Sequence, residues 1–114
     1  MIWAMSDPEK GEPSTPIIEE IDRVIHEPAR LAIMAHLSVV ESADFLYLMR
    51  QTGLTGGNLS SHITKLETAG YIQIEKKFVE RKPLTVIHLT EAGRAAFRIY
   101  QQKMKHMFEG REAK

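Results

Sequence analysis

Apolar residues recur at helical spacing as Ile17, Ile18, Ile21, Val24 and Ile25, directly after Thr15 and Pro16, a side-chain cap followed by a residue suited to a first turn. This predicts a first helix from 17 to about 25. Pro28 opens a second helix, in which Leu31, Met34 and Leu37 make an inward stripe that ends near Val39. After the polar break Glu41-Ser42, the segment Ala43 to Met49 reads as a brief strand running into a third helix that stops near Gln51. Gly53 sits in a short connection, and Thr55 caps a fourth helix from about Gly56 to Ala69, with Gly70 as its stop. Residues 71 to 77 then alternate as a half-buried strand does, and Thr85 to Leu89 form a second β-branched run. Val79-Glu80-Arg81-Lys82-Pro83 is the expected hairpin tip, and Thr90 caps a long last helix.

Two helices joined as tightly as the third and fourth form a helix-turn-helix, and a hairpin following them is a wing. The fold class expected is therefore α+β, a winged helix-turn-helix with a long C-terminal helix. A chain of 114 residues has room for one such domain. The expected boundaries are 1–16 for a flexible N-terminal tail rich in Pro and polar residues, 17–109 for the domain with its terminal helices, and 110–114 for a C-terminal tail. The run Met1 to Met5 has no basic flank and is too short for a signal peptide, and no stretch suits a membrane span, so a cytoplasmic protein is expected.

The formal net charge of zero hides an uneven distribution. Residues 1–45 carry a net −6, while 46–88 and 89–114 carry +3 each. A basic face can therefore coexist with an acidic N-terminal part, and its modest size suits moderate electrostatic affinity for nucleic acid. The absence of Cys excludes disulfides, thiolate metal sites and Cys nucleophiles. His26, His36, His62, His88 and His106 are scattered, none at a spacing of four from another, so no metal site and no cofactor are expected.

The fourth helix carries the strongest chemical signal. At 100° per residue, Leu59, Ile63 and Leu66 cluster in one arc that must face the core. The opposite side presents Gly57, Asn58, Ser61, Thr64, Lys65 and Thr68, with Ser60 and His62 at its flanks. A helix shaped only for solubility would carry Glu–Lys pairs, whereas small polar residues and two glycines lower helix propensity. Close approach to a partner explains that sacrifice: a major groove admits a helix, and Asn, Ser, Thr and Lys match base edges and phosphates. The amides of Gly56, Gly57 and Asn58 at the helix start suit a phosphate. In the hairpin, Lys76, Lys77, Arg81 and Lys82 gather near the tip, where Arg81 or Lys82 suits a minor groove and Lys77 a phosphate, although charge on an edge hairpin also serves solubility.

The stretch from Thr52 to Ile72, TGLTGGNLSSHITKLETAGYI, followed by a hairpin and by His88-Leu89-Thr90-Glu91-Ala92-Gly93-Arg94, resembles the winged-helix regulators of the MarR and ArsR superfamily, as does the opening His26 to Leu31. The resemblance covers about residues 26 to 97. It implies a homodimer that sets one recognition helix in each of two major grooves of double-stranded DNA, with terminal helices at the dimer interface. The DNA-contacting positions it implies fall on Thr55 to Lys65, and the wing on Phe78 to Leu84. Glu80, Leu84 and His88 depart from the more basic residues such wings carry, which argues for weaker minor-groove binding. The metal-sensing branch's thiolate motif is absent.

The candidate DNA-binding residues are thus Thr55, Gly57, Asn58, Ser60, Ser61, His62, Thr64, Lys65, Lys77, Arg81 and Lys82. Ile17, Ile18, Ile21, Val24 and Ile25, together with Phe97, Tyr100, Met104, Met107 and Phe108, would form too large an apolar patch on a monomer and are the candidate dimer interface. No catalytic residue is expected, since the chain has neither GxGxxG, P-loop nor GxSxG. The competing reading is a winged-helix module that binds another protein, which would show Leu, Phe or Met on the outward side of the fourth helix. Operator and effector are not legible in the chain.

Overall fold

The computed structural model describes residues 20–110. Among them the elements run α1 (Pro28–Ser38), β1 (Ala43–Asp44), α2 (Phe45–Thr52), α3 (Gly56–Thr68), β2 (Ile72–Val79), β3 (Lys82–Leu89) and α4 (Glu91–Glu109). The antiparallel sheet has the order β1-β3-β2, with Ala43 opposite Ile87 and Ile72 opposite Leu89. This is the α+β winged helix expected, with the brief strand and the third helix where the pattern put them.

Side chains from every helix meet in one core: Ile33, Met34 and Leu37 of α1, Leu48 of α2, Leu59, Ile63 and Leu66 of α3, and Phe97 and Tyr100 of α4, closed by Ile72, Ile87 and Leu89 of the sheet. The helix ends follow their residues. The side-chain oxygens of Glu27, Asp44, Thr55 and Thr90 each accept the backbone N–H of the residue three positions on, at a helix N-terminus. Gly53 and Gly70 take the left-handed conformation that ends α2 and follows α3.

Two expectations need correction. Residues 17–19 lie outside the described region, and the first helix does not continue to residue 25: Glu20 is helical, whereas 21–27 are bends and turns. Asp22 breaks the helix, because its Oδ1 accepts the N–H groups of Val24 and Ile25 at 2.9 and 3.2 Å and thereby replaces helical partners. Its Oδ2 accepts the Tyr71 hydroxyl. Burial, reinforced by that carboxylate, pushes the Tyr71 phenol up to about 12. The apolar spacing is still used, since Ile21 and Ile25 are buried, but a turn delivers them rather than a helix. The second correction is the hairpin tip, which is not a five-residue loop. Val79 pairs with Lys82, leaving a two-residue turn in which Glu80 and Arg81 have φ of 53° and 70°. A turn with both central residues left-handed matches strand twist and normally favours Asn-Gly.

Two joints hold α3 and α4 against the sheet. Gly93 approaches the strand entrance so closely that a Cβ there would lie 2.0 Å from the Tyr71 carbonyl oxygen. The same carbonyl accepts the Thr90 N–H at 3.0 Å, and the Thr90 hydroxyl donates to the Gly70 carbonyl at 2.6 Å. Arg94 then reaches the Ser38 and Val40 carbonyls, each at 3.2 Å, at the end of α1. At the other side, Arg30 donates through Nε to the Val24 carbonyl at 2.6 Å and through Nη1 to His62 Nδ1 at 3.0 Å, which ties α3 to the start of α1. Glu27 Oε1 accepts the Arg30 N–H at 2.9 Å and stands 3.8 Å from His62 Nδ1. That backbone bond, helped by the charge of Arg30, holds the Glu27 carboxyl below its ordinary value of 4.5 despite some desolvation.

Gly93→Ala is expected to destabilise the fold by about 3 kcal/mol, because the backbone at Tyr71 must move; denaturant unfolding measures it, and a change within error would refute the close approach. A carboxyl lowered on folding contributes stability that is complete above its unfolded value and is lost as pH falls through its folded value. Glu27→Gln is therefore expected to be less stable than the parent at neutral pH and to lose less stability between about pH 6 and pH 3, as read by urea unfolding at both ends.

Candidate nucleic-acid interface

The turn of the helix-turn-helix is three residues, Gly53 to Thr55, between the ends of α2 and α3. Gly53 closes α2 with its N–H on the Met49 carbonyl at 2.9 Å, and the Thr55 hydroxyl accepts the Asn58 N–H at 3.1 Å to open α3. Leu59, Ile63 and Leu66 are buried, so the opposite face is turned outward by the same rotation. Thr55, Gly57, Asn58, Ser60, Ser61, Thr64, Lys65 and Thr68 are all exposed.

The two glycines at the start of α3 differ in what surrounds them. A Cβ at Gly56 would sit 3.8 Å from the Met49 sulfur, an ordinary contact, and one at Gly57 would meet nothing within 4 Å. Among the described residues nothing requires Gly57, which lowers helix propensity by up to about 1 kcal/mol against Ala. Thr64 commits its hydroxyl proton to the Ser60 carbonyl at 3.0 Å and is left as an acceptor. His62 is half-buried. An Arg can only donate, so His62 Nδ1 accepts from Arg30 and the neutral ring carries its proton on Nε2. Its first role is to join α3 to α1, which its place on the helical wheel did not reveal.

The wing is organised by the alternation of its strands. Ile72, Ile74, Lys76 and Phe78 share one face of β2 and pair with Leu89, Ile87, Thr85 and Pro83 on β3. This face looks toward α3: Ser60, Ile63 and Thr64 line a cleft of about 320 Å³ together with Lys76 and Thr85. Lys77 lies on the other face, 3.9 Å from Glu75. Of the two neighbouring lysines, Lys76 stands beside α3, a position missed among the candidates although it keeps step with Ile72 and Ile74. Arg81 and Lys82 are exposed at the tip, as are Phe78 and Val79. The structure thus brings Ser60, Thr64 and Lys76 together and leaves Lys77 apart from them.

The proposed interface residues separate similarly. Ile17 and Ile18 lie outside the described residues. Ile21, Ile25, Phe97 and Tyr100 are buried in the chain's own core, so a monomer does hide them. His26 Nδ1 and the Tyr100 hydroxyl are 2.8 Å apart, and burial raises the Tyr100 phenol's pKa. Val24, Met104 and Met107 are half-buried against that core, and Phe108 is 79% exposed. Among the described residues, no three His, Asp or Glu side chains come together to hold a metal ion, and no helix is long and apolar enough to cross a membrane.

Comparison with known proteins agrees with this geometry. The winged helix DNA-binding domain family matches residues 29–108. An uncharacterized protein of Methanocaldococcus jannaschii is 35% identical over 78 residues, which span 68% of this chain and 85% of that protein. A transcriptional regulator homologue from Pyrococcus horikoshii superposes with a TM-score of 0.78 at 30% identity, over 85% of this chain and 98% of its own. A MarR-family protein of Enterococcus faecalis gives a TM-score of 0.65 at 25% identity, over 76% of this chain and 77% of its own. With fold, helix-turn-helix and wing in agreement, the chain belongs to the winged helix DNA-binding domain family.

Proposed function

We propose that the protein is a sequence-specific regulator that binds double-stranded DNA as a homodimer, with α3 in the major groove and the β2–β3 wing at the adjacent minor groove or backbone. The observation that carries this is the outward face of α3, which is exposed, free of large apolar side chains, and begins at Gly57, a glycine that no contact among the described residues demands. A phosphate or base edge can approach the backbone there as it could not beside a side chain. Asn58 and Ser61 suit base edges, while Lys65, Lys76 and Arg81 suit phosphates. A protein-binding module would need an anchor of Leu, Phe or Met on this face, and it has none.

The dimer rests on α4. Phe97, Tyr100, Met104 and Phe108 fall on one stripe of this helix, which is buried at Phe97 and Tyr100, half-covered at Met104 and bare at Phe108. Met104, Met107 and Phe108 continue it to a surface suited to the same stripe of a second copy around a two-fold axis. Such an axis sets two recognition helices about 34 Å apart, one turn of DNA, and implies a roughly palindromic site.

Retardation of random duplex DNA at low salt, weakening as salt rises, is the direct test; no retardation at any salt would overturn DNA binding. Ser61→Glu and Lys65→Glu are each expected to abolish retardation while leaving the melting temperature within about 2 °C of the parent, since both side chains are exposed. Retained binding in both would refute the placement of α3. Sedimentation at micromolar concentration is expected to show a dimer that Phe108→Glu converts to a folded monomer; a monomeric parent with full affinity for a palindromic duplex would refute the role given to α4.

A further inference from the structure

The wing carries an apolar knob that the described residues leave bare. Phe78 is 76% exposed near the tip of β2, and its cross-strand partner is Pro83. A ring in water at the end of a hairpin adds nothing to the fold and adds a site for unwanted association. It is also placed with some definition. Phe78 shares a face with Lys76, which lines the cleft against Ser60 and Thr64 of α3, so it stands about 7 Å farther along the strand on the side of the wing turned toward the recognition helix. The turn beyond it holds Glu80 and Arg81 in left-handed conformations and keeps the strands paired to Val79 and Lys82, making a narrow, fully paired tip. Lys76 stands on the same face as the knob and Arg81 in the turn just beyond it, both exposed, whereas Lys82, opposite Val79, lies on the other face.

We propose that Phe78, backed by Pro83, is an apolar wedge that enters the minor groove beside the major groove read by α3, with Arg81 and Lys76 at the bordering phosphates. The proposal rests on the DNA-binding reading above and adds to it the contact made by the wing. Its occupant is chosen by charge and continuity: the knob has Lys76 beside it on the same face and Arg81 beyond it in the turn, and that face is the one that meets Ser60 and Thr64 of α3, which suits a polyanion whose minor groove is walled by apolar sugar C–H edges. Apolar side chains set against base steps are an established means by which proteins hold and widen a minor groove. It also accounts for a wing that carries Glu80 and Leu84 in place of further cations, because an apolar wedge does not depend on inserting a charge.

The test uses the full chain and a duplex recovered from random sequence by the intact protein. Phe78→Ala is expected to weaken binding roughly ten- to a hundredfold, the worth of burying a phenyl ring. The slope of log affinity against log salt should not change, because no cation is removed, whereas Arg81→Ala should make it shallower by about one unit. Hydroxyl-radical cleavage, which reads minor-groove sugars, should lose the protected patch flanking each half-site in Phe78→Ala, while methylation protection in the central major groove persists. Phe78→Leu should restore much of both. Parental affinity and an unchanged footprint in Phe78→Ala would overturn the wedge while leaving DNA binding intact, and so would a Phe78→Ala protein that changes its sedimentation instead of its footprint, which would assign the knob to a second copy. Failure of the parent to bind any duplex would instead overturn the underlying functional reading.

Discussion

The burial of Leu59, Ile63 and Leu66 against the core of α1, α2 and α4 is the constraint from which the rest of the surface follows. Three apolar side chains within a narrow arc leave α3 no freedom to rotate, since any turn about its axis would bring one of them into water at a loss of roughly 1.5 to 3 kcal/mol. The face opposite is therefore fixed as well. Gly57, Asn58, Ser61 and Thr64 owe their exposure to hydrophobic residues on the far side of the helix. The weak intrinsic helicity of that face is tolerated because the helix is held by its buried side and by Thr55 and Gly70 at its ends.

Orientation about the axis is complemented by anchors along it. Arg30 holds His62 from the side of α1, and the tight approach of Gly93 to Tyr71 holds the strand entrance that follows α3. Asp22 does two things at once, ending the preceding helix and receiving the Tyr71 hydroxyl. The segment around Asp22, the end of α3 and the first turn of α4 thus converge on the residues around Tyr71. Three side chains that look like ordinary surface polar residues in the chain join separate elements: Asp22 accepts the Tyr71 hydroxyl, Arg30 reaches the His62 ring, and Arg94 bonds the carbonyls at the end of α1.

The wing follows a different rule. Its root is buried through Ile72, Ile87 and Leu89, and strand alternation carries that orientation outward past the core, so that Lys76 and Phe78 share the face that meets α3 although both are exposed among the described residues. Register is transmitted from root to tip by paired backbone, and the left-handed Glu80-Arg81 turn keeps it from slipping. The wing's working face is thereby decided by the parity of positions counted from the core.

The sequence by itself determined the elements and their order, because hydrophobic period, capping residues and stop glycines are local signals: the span of α3, its buried arc, the cap at Thr55 and the strand that leads into α2 were all legible. It also determined which face of α3 is polar, since that needs only the pitch of a helix. Tertiary structure decided what depends on contacts between distant positions. The spacing of Ile21, Val24 and Ile25 reads as helical, yet Asp22 bonds the chain into a turn, and its partner Tyr71 lies far along the sequence. Phe97 and Tyr100 look like an interface on an isolated helix and are core once α1 and the sheet close over them. His62 reads as a surface contact until Arg30 reaches it from α1. The separation of Lys76 from Lys77 lies between these cases: the alternation is written in the chain, but which strand face meets α3 is settled only when the sheet packs, because burial of Ile72 and Ile87 chooses it.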